Sequence, residues 1–236
     1  MELLLPAIGI LLGFFIQSVA GFAAALFAIP LMLYVFDLQD SIAIIAVFLF
    51  LFSIIELYNN RKSIDKKIFS EIIVWSIIGL VIGIFLLKYG DSTLLKKILG
   101  FLMLFYAFYS LIEQRKMYSL DKYGFAFGLV GGIFSGLYAS GGSVYATYLN
   151  NKLKKSINIR ATLIGILAVT NFLRIPLLTY NEILTLDILI KSLYLLPFFL
   201  VALFLGHIAF AKMNDKIFRN IVLVLLLLSG LSLILK

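Results

Sequence analysis

Apolar runs long enough to cross a bilayer alternate along this chain with short polar connections, most of them basic. Residues 41–58, 69–88, 94–112, 159–178, 188–211 and 221–235 each form one such run. They predict plain membrane-spanning helices, because about 20 apolar residues cover a hydrocarbon core of roughly 30 Å. Two runs do not fit that mould. Residues 3–36 hold no charge, and one helix of that length would reach about 50 Å. This run must break or tilt, with Gln17, Ser18 and Gly21, and later Pro30, as places to do so. Residues 123–149 carry Gly131, Gly132, Gly136, Gly141 and Gly142, and the run SGGS at 140–143 opposes continuous helix. Backbone N–H and C=O groups freed inside a bilayer persist only when buried in protein or facing a polar cavity. A broken helix facing a substrate is therefore expected at 140–143. A continuous helix packed through its glycines is the alternative.

The chain is patterned twice. At an offset of 118 residues, an interrupted segment followed by three plain spans recurs, dividing the chain into halves 1–118 and 119–236. Few identities survive the offset (Gly13 with Gly131, Leu31 with Leu149, Ala43 with Ala161), so the repeat is one of layout. The expected fold is an all-α polytopic membrane protein of two inverted-topology repeats. Each repeat comprises an interrupted or re-entrant helix pair plus three transmembrane helices. The leg after Gly142 has only about eight apolar residues, some 12 Å of helix, so full spans and re-entrant half-helices both stay open.

Composition agrees with a membrane protein: 63% of the 236 residues are hydrophobic and 14% charged, with a mean hydropathy of +1.10. The placement of the net +8 charge decides orientation. If each interrupted segment returns to its own side, one face collects Arg61, Lys62, Lys66, Lys67, Arg115, Lys116, Lys122, Lys152, Lys154, Lys155, Arg160, Lys212, Lys216 and Arg219. The other face keeps only Lys88, Lys96, Lys97, Lys191 and Lys236. The positive-inside rule then puts both termini outside a cell (inner or plasma) membrane. The start of the chain, MELLLPAIGILLGFF, lacks the basic leader of a signal peptide, so no cleavage is expected. Anionic lipid rather than nucleic acid is the expected partner of the basic loops.

Half-helix N-termini meeting inside the protein offer unpaired N–H groups and partial positive charge to a small anionic substrate. The candidate tips are residues 21–25 and 139–143, with Gly21, Phe22, Gly141 and Gly142 supplying backbone. Gln17, Ser18, Ser140 and Ser143 add polar side chains. Arg174 lies inside an apolar run beside Asn171 and before Pro176. An arginine there faces a partner, water or substrate, or snorkels to the outer end. Its offset mate is Glu56, which makes a salt bridge between the two a further option; Ser53 is the mate of Asn171. The lone histidine, His207, and Glu56 are candidates for coupling to a proton or another ion. With no cysteine and one histidine, neither a metal site nor a cofactor is expected.

These residues resemble the TauE/SafE family of membrane transporters, described as sulfite or organosulfonate exporters. QSVAGFAAALFAIP at 17–30 is similar to the family's first-repeat pattern, G-F-G-x-x-L then proline, with alanine for its later glycines. Residues 135–149 are similar to its second-repeat pattern, with Ala139 and Ser143 in glycine places and Tyr148 in the proline place; Ala161-Thr162 also fits. The resemblance implies secondary transport of sulfite or an organosulfur anion, with export favoured over uptake.

Two other classes remain. A passive anion channel would need no alternating access. An intramembrane serine protease resembling the rhomboids would use Ser140 of YASG with His207 as base, but Tyr138 stands in the first glycine's place and a two-fold repeat is foreign to that fold.

Overall fold

The computed structural model of the protein describes residues 3–111, 123–210 and 215–235. It contains the helices α1 (Leu4–Ala20), α2 (Ala24–Met32), α3 (Leu38–Asn60), α4 (Lys66–Tyr89), α5 (Ser92–Leu111), α6 (Gly124–Tyr138), α7 (Gly142–Lys152), α8 (Ser156–Tyr180), α9 (Leu186–Phe210) and α10 (Asp215–Leu235). A 3-10 turn, Arg61–Ser63, follows α3. The fold is all-helical and of the polytopic membrane class expected. Within the described residues, α3, α4, α8 and α9 are long and apolar enough to cross a membrane. The helices α5 and α10 run 20 and 21 residues, about 30 Å each.

The connecting acids start helices. The Asp37 carboxylate accepts the Asp40 N–H at 2.8 Å, and that of Asp65 accepts the N–H groups of Lys67 and Ile68 at 3.1 Å. Each satisfies first-turn donors that a helix cannot satisfy internally.

Both interrupted segments are broken, and at matching places. The first break follows Ala20 and the second follows Tyr138; α2 and α7 restart at Ala24 and Gly142, and α3 and α8 begin at Leu38 and Ser156. Every member of these pairs is separated by the 118 residues that also separate the hydrogen-bonded Ser53 and Asn171. Pro30 does not break its helix; it lies inside α2. The second legs have 9 and 11 residues, about 14 to 17 Å, too short to cross a 30 Å core. Both segments are therefore hairpins rather than pairs of full spans. Gly9 and Gly13 let α1 approach Ala24 and Ala28 of α2, and Gly131 lies against the Tyr145 ring of α7. The shared glycine at 13 and 131 thus serves one purpose in both hairpins.

Glycines also set the packing between halves. Gly79 and Gly83 of α4 meet Gly132 and Gly136 of α6, and Gly128 meets Ile72, so these two helices run parallel. The helices α1 and α9 also run parallel, with Phe14 edge-on to Phe199 at 4.9 Å and Gly206 against Ser18. The pairs α3–α8 and α5–α10 run antiparallel, through Ser53–Asn171 and Gly100–Gly230. The Asp65 N–H donates to Thr162 Oγ1 at 2.9 Å, which ties the basic loops at 61–67 and 152–160 to one side. Arg115, Lys116, Lys122, Lys212 and Lys236, named above for orientation, lie outside the described residues.

A Cβ on Gly132 would stand 2.9 Å from Ser76 Cα. Gly132→Leu is expected to destabilise the protein by about 1–3 kcal/mol or more, as overpacking does, measured as a lowered midpoint of thermal unfolding in detergent.

Candidate functional site

The two breaks touch. Phe22, in the first, packs its Cβ against Gly142, at the start of α7, where a side chain would collide with it. Gly21 and Ala23 adopt φ of 86° and 87°, and Ala139 a φ of 56°. This left-handed backbone ends α1 and α6 sharply. The Gly21 N–H donates to Gln17 O at 2.7 Å, and the Ala139 and Ser140 N–H groups donate to Ser135 O and Phe134 O.

The tips differ in how their second legs begin. Gln17 Oε1 accepts the Ala24 N–H at 2.8 Å, so the side chain expected to meet substrate instead closes the N-terminus of α2. No side chain caps α7. Its first-turn N–H groups, at Gly142 and Ser143, have no intrahelical acceptor, and the macrodipole leaves positive charge there. The Ser143 hydroxyl turns back to Ser140 O at 3.4 Å, and Ser140 Oγ, 3% exposed, is buried without a partner. Of the two anticipated anion-binding ends, the second is the one without a side-chain cap.

Arg174 is 1% exposed and does not snorkel. Its Nη1 donates to Asn171 Oδ1 at 3.0 Å, and its Nη2 to the Ser135 carbonyl in the last turn of α6. The negative end of that helix suits a cation. The salt bridge to Glu56 is not formed; Glu56 faces Arg160 at 3.6 Å and accepts from Asn60 Nδ2 at 3.2 Å. The reason is reach: Asn171 and Ser135 hold Arg174 toward α6, while Glu56 lies beyond Ser53. No described carboxylate pairs with Arg174. Burying a charge without a counter-charge costs on the order of several kcal/mol. Its own Nε is buried without a partner, as are Ser135 Oγ, the Tyr145 hydroxyl and, at the break, Ser140 Oγ. Tyr145 lies close to the hydroxyls of Ser76 and Ser135 and to Arg174, without a hydrogen bond of good geometry. Sequence reading missed Tyr145 as a site residue, because an aromatic in an apolar run carries no polar signature.

An open cavity of about 470 Å³ leads in from the basic-loop side, lined by Ser18, Glu56, Arg160, Leu203, Phe204 and His207. A second, small space of about 10 Å³ shares Phe52 and Glu56 with it and is lined by Gln17, Gly21, Ser53 and Asn171. That is room for roughly one water. Asn171 passes its amide to Ser53 Oγ at 2.9 Å and its carbonyl to Arg174. Ser18 lines the larger cavity, with its hydroxyl donated to Phe14 O at 2.8 Å. The structure thus brings His207 and Glu56 to one cavity, and links it through Asn171 to Arg174. The protease dyad is not assembled: the Ser140 hydroxyl bonds to no base.

Gly141 faces the Gly131 carbonyl and Ser135 Oγ so closely that no methyl fits. Gly141→Ala is expected to cost about 1–3 kcal/mol. Ala139→Gly and Ala23→Gly, which remove a Cβ from left-handed backbone, are expected to be neutral or stabilising by up to about 1 kcal/mol. Thermal unfolding of the three variants distinguishes these signs.

A family model described as sulfite exporter TauE/SafE matches residues 5–233. No curated protein and no solved structure matches the chain. The matched stretch takes in both touching breaks, Arg174 and the cavity leading to them, and this chain belongs to the sulfite exporter TauE/SafE family of membrane transporters.

Proposed function

We propose that the protein is a secondary transporter that moves a small sulfur oxyanion or organosulfonate by alternating access, binding it between Arg174 and the uncapped start of α7. The observation that carries this reading is the buried Arg174 guanidinium, which pairs with no described carboxylate and lies beside the unpartnered hydroxyls of Ser135 and Tyr145. A planar guanidinium pairs two oxygens of a sulfite or sulfonate group at once. The Ser140 hydroxyl and the first-turn N–H groups of α7 suit the remaining oxygens.

Alternating access is supported by the unequal state of matched positions. The matched helix boundaries and the two hairpins support two inverted halves, 1–118 and 119–236, with the basic side cytoplasmic and both termini outside. Glu56 lines the open cavity, whereas Arg174, its mate in the other half, is sealed. This inequality between matched positions is what an inward-facing transporter would have.

Arg174→Gln should reduce sulfite affinity at least tenfold, or about 1.4 kcal/mol, while Ser140→Ala should lower it less. A thermal-shift panel of sulfite, thiosulfate, sulfoacetate, taurine and simple carboxylates on purified protein reads both. Stabilisation that is equal in wild type and Arg174→Gln would remove Arg174 from the site. Because the chain has no cysteine, single cysteines can be introduced cleanly. Ser18→Cys should react with a polar thiol reagent added from the basic-loop side, and Ser135→Cys should be protected.

A further inference from the structure

The open cavity contains an ion pair that the binding site at Arg174 does not use. Glu56, on α3, and Arg160, on α8, face each other across it at 3.6 Å, with side chains 20% and 29% exposed. Its remaining walls are largely apolar: Phe52 and Ile55 from α3, and Leu200, Leu203 and Phe204 from α9. His207 of α9 is the other titratable group lining it, and Ser18 is the polar contribution of α1. Asn60 Nδ2 holds the Glu56 carboxylate at 3.2 Å, and Arg61, one residue on, is drawn away over the Tyr58 ring at 4.8 Å.

We propose that Arg160 is an entry ligand for the transported anion and that Glu56 is its built-in competitor, so that seating the anion on Arg160 transfers one proton to Glu56. This rests on the anion-transport reading above. A carboxylate and a sulfonate offer a guanidinium the same paired oxygens, so an arriving anion displaces Glu56 from Arg160 rather than joining it. The displaced carboxylate then sits among apolar walls without its cation, which is unfavourable while it stays charged. A proton that enters from bulk solution with the anion removes that charge. The step balances: one monoanion and one proton enter, a carboxylate becomes a carboxylic acid, the Arg160 cation changes partner, and the net charge of the cavity is unchanged. Both partners of the pair line the cavity, and Glu56 also lines the small space at Ser53 and Asn171, so they stand beside a route toward Arg174. The Glu56–Arg160 contact joins α3 to α8, the two helices that also meet at Ser53 and Asn171. Exchange of partners there loosens the same helix pair that must move for the opposite side to open.

The test uses methanesulfonate, a permanently ionised monoanion, so that any proton taken up belongs to the protein. Calorimetric titration of the purified full chain in buffers of different ionisation enthalpy gives affinity and protons bound per anion. Wild type is expected to take up close to one proton per methanesulfonate. Glu56→Gln should bind three- to tenfold more tightly with no proton uptake, and Arg160→Gln should bind at least tenfold more weakly, also with none. His207→Gln should keep the proton uptake. If Glu56→Gln does not fold, Arg160→Gln carries the test alone. Wild-type affinity and proton count in both Glu56→Gln and Arg160→Gln overturn the proposal, as does loss of proton uptake in His207→Gln with retention in Glu56→Gln. A wild type that binds neither methanesulfonate nor sulfite overturns both this inference and the anion reading. Binding that is lost in Arg174→Gln but indifferent to Glu56 and Arg160 overturns this inference only.

Discussion

The structure turns on one contact: a buried guanidinium resting on the carbonyl end of a helix that stops inside the protein. Backbone groups freed in a lipid-embedded segment need partners, and Arg174 supplies one at Ser135 O. The same bond holds the cation in place without neutralising it. A carboxylate in this position would have made an inert salt bridge. A carbonyl leaves the positive charge in force. Asn171 completes the arrangement, since it bonds to Arg174 on one side and to Ser53 on the other.

The two hairpins solve the same problem by different means. In the first, Gln17 reaches over its own break to close α2. In the second, nothing closes α7, and the cation is recruited to the other end of the gap. A repeated layout therefore yields two unlike breaks. One break is a structural wedge, with Phe22 pressed on Gly142; the other has the polar groups and the charge.

Much of this was legible in the chain. The excess length of residues 3–36, the SGGS run and the offset of 118 were enough to put both breaks within a few residues of where they fall, because length and glycine content act locally. The glycines at 79 and 83 likewise announced a close helix contact. The partners of polar side chains were not legible. Whether Gln17 faces a substrate or its own backbone depends on a turn of three residues. The choice of Arg160 over Arg174 as the partner of Glu56 depends on how α3 and α8 cross, and no periodicity encodes a crossing. Tyr145 was invisible for a related reason: its value lies in what surrounds its hydroxyl, and those neighbours come from α4, α6 and α8.

Each hairpin leans on the opposite half of the chain. The long leg α1 lies along α9, and α6 lies along α4. The second hairpin emerges during synthesis with its support already made, but the first must wait until residues 186–210 have been inserted. Until then the face of α1 that carries Phe14 and Ser18 lacks the α9 residues, Phe199 and Gly206, that cover it. Assembly of this protein accordingly has a late step, in which α1 finds its seat only after the seven helices that separate it from α9 have been made.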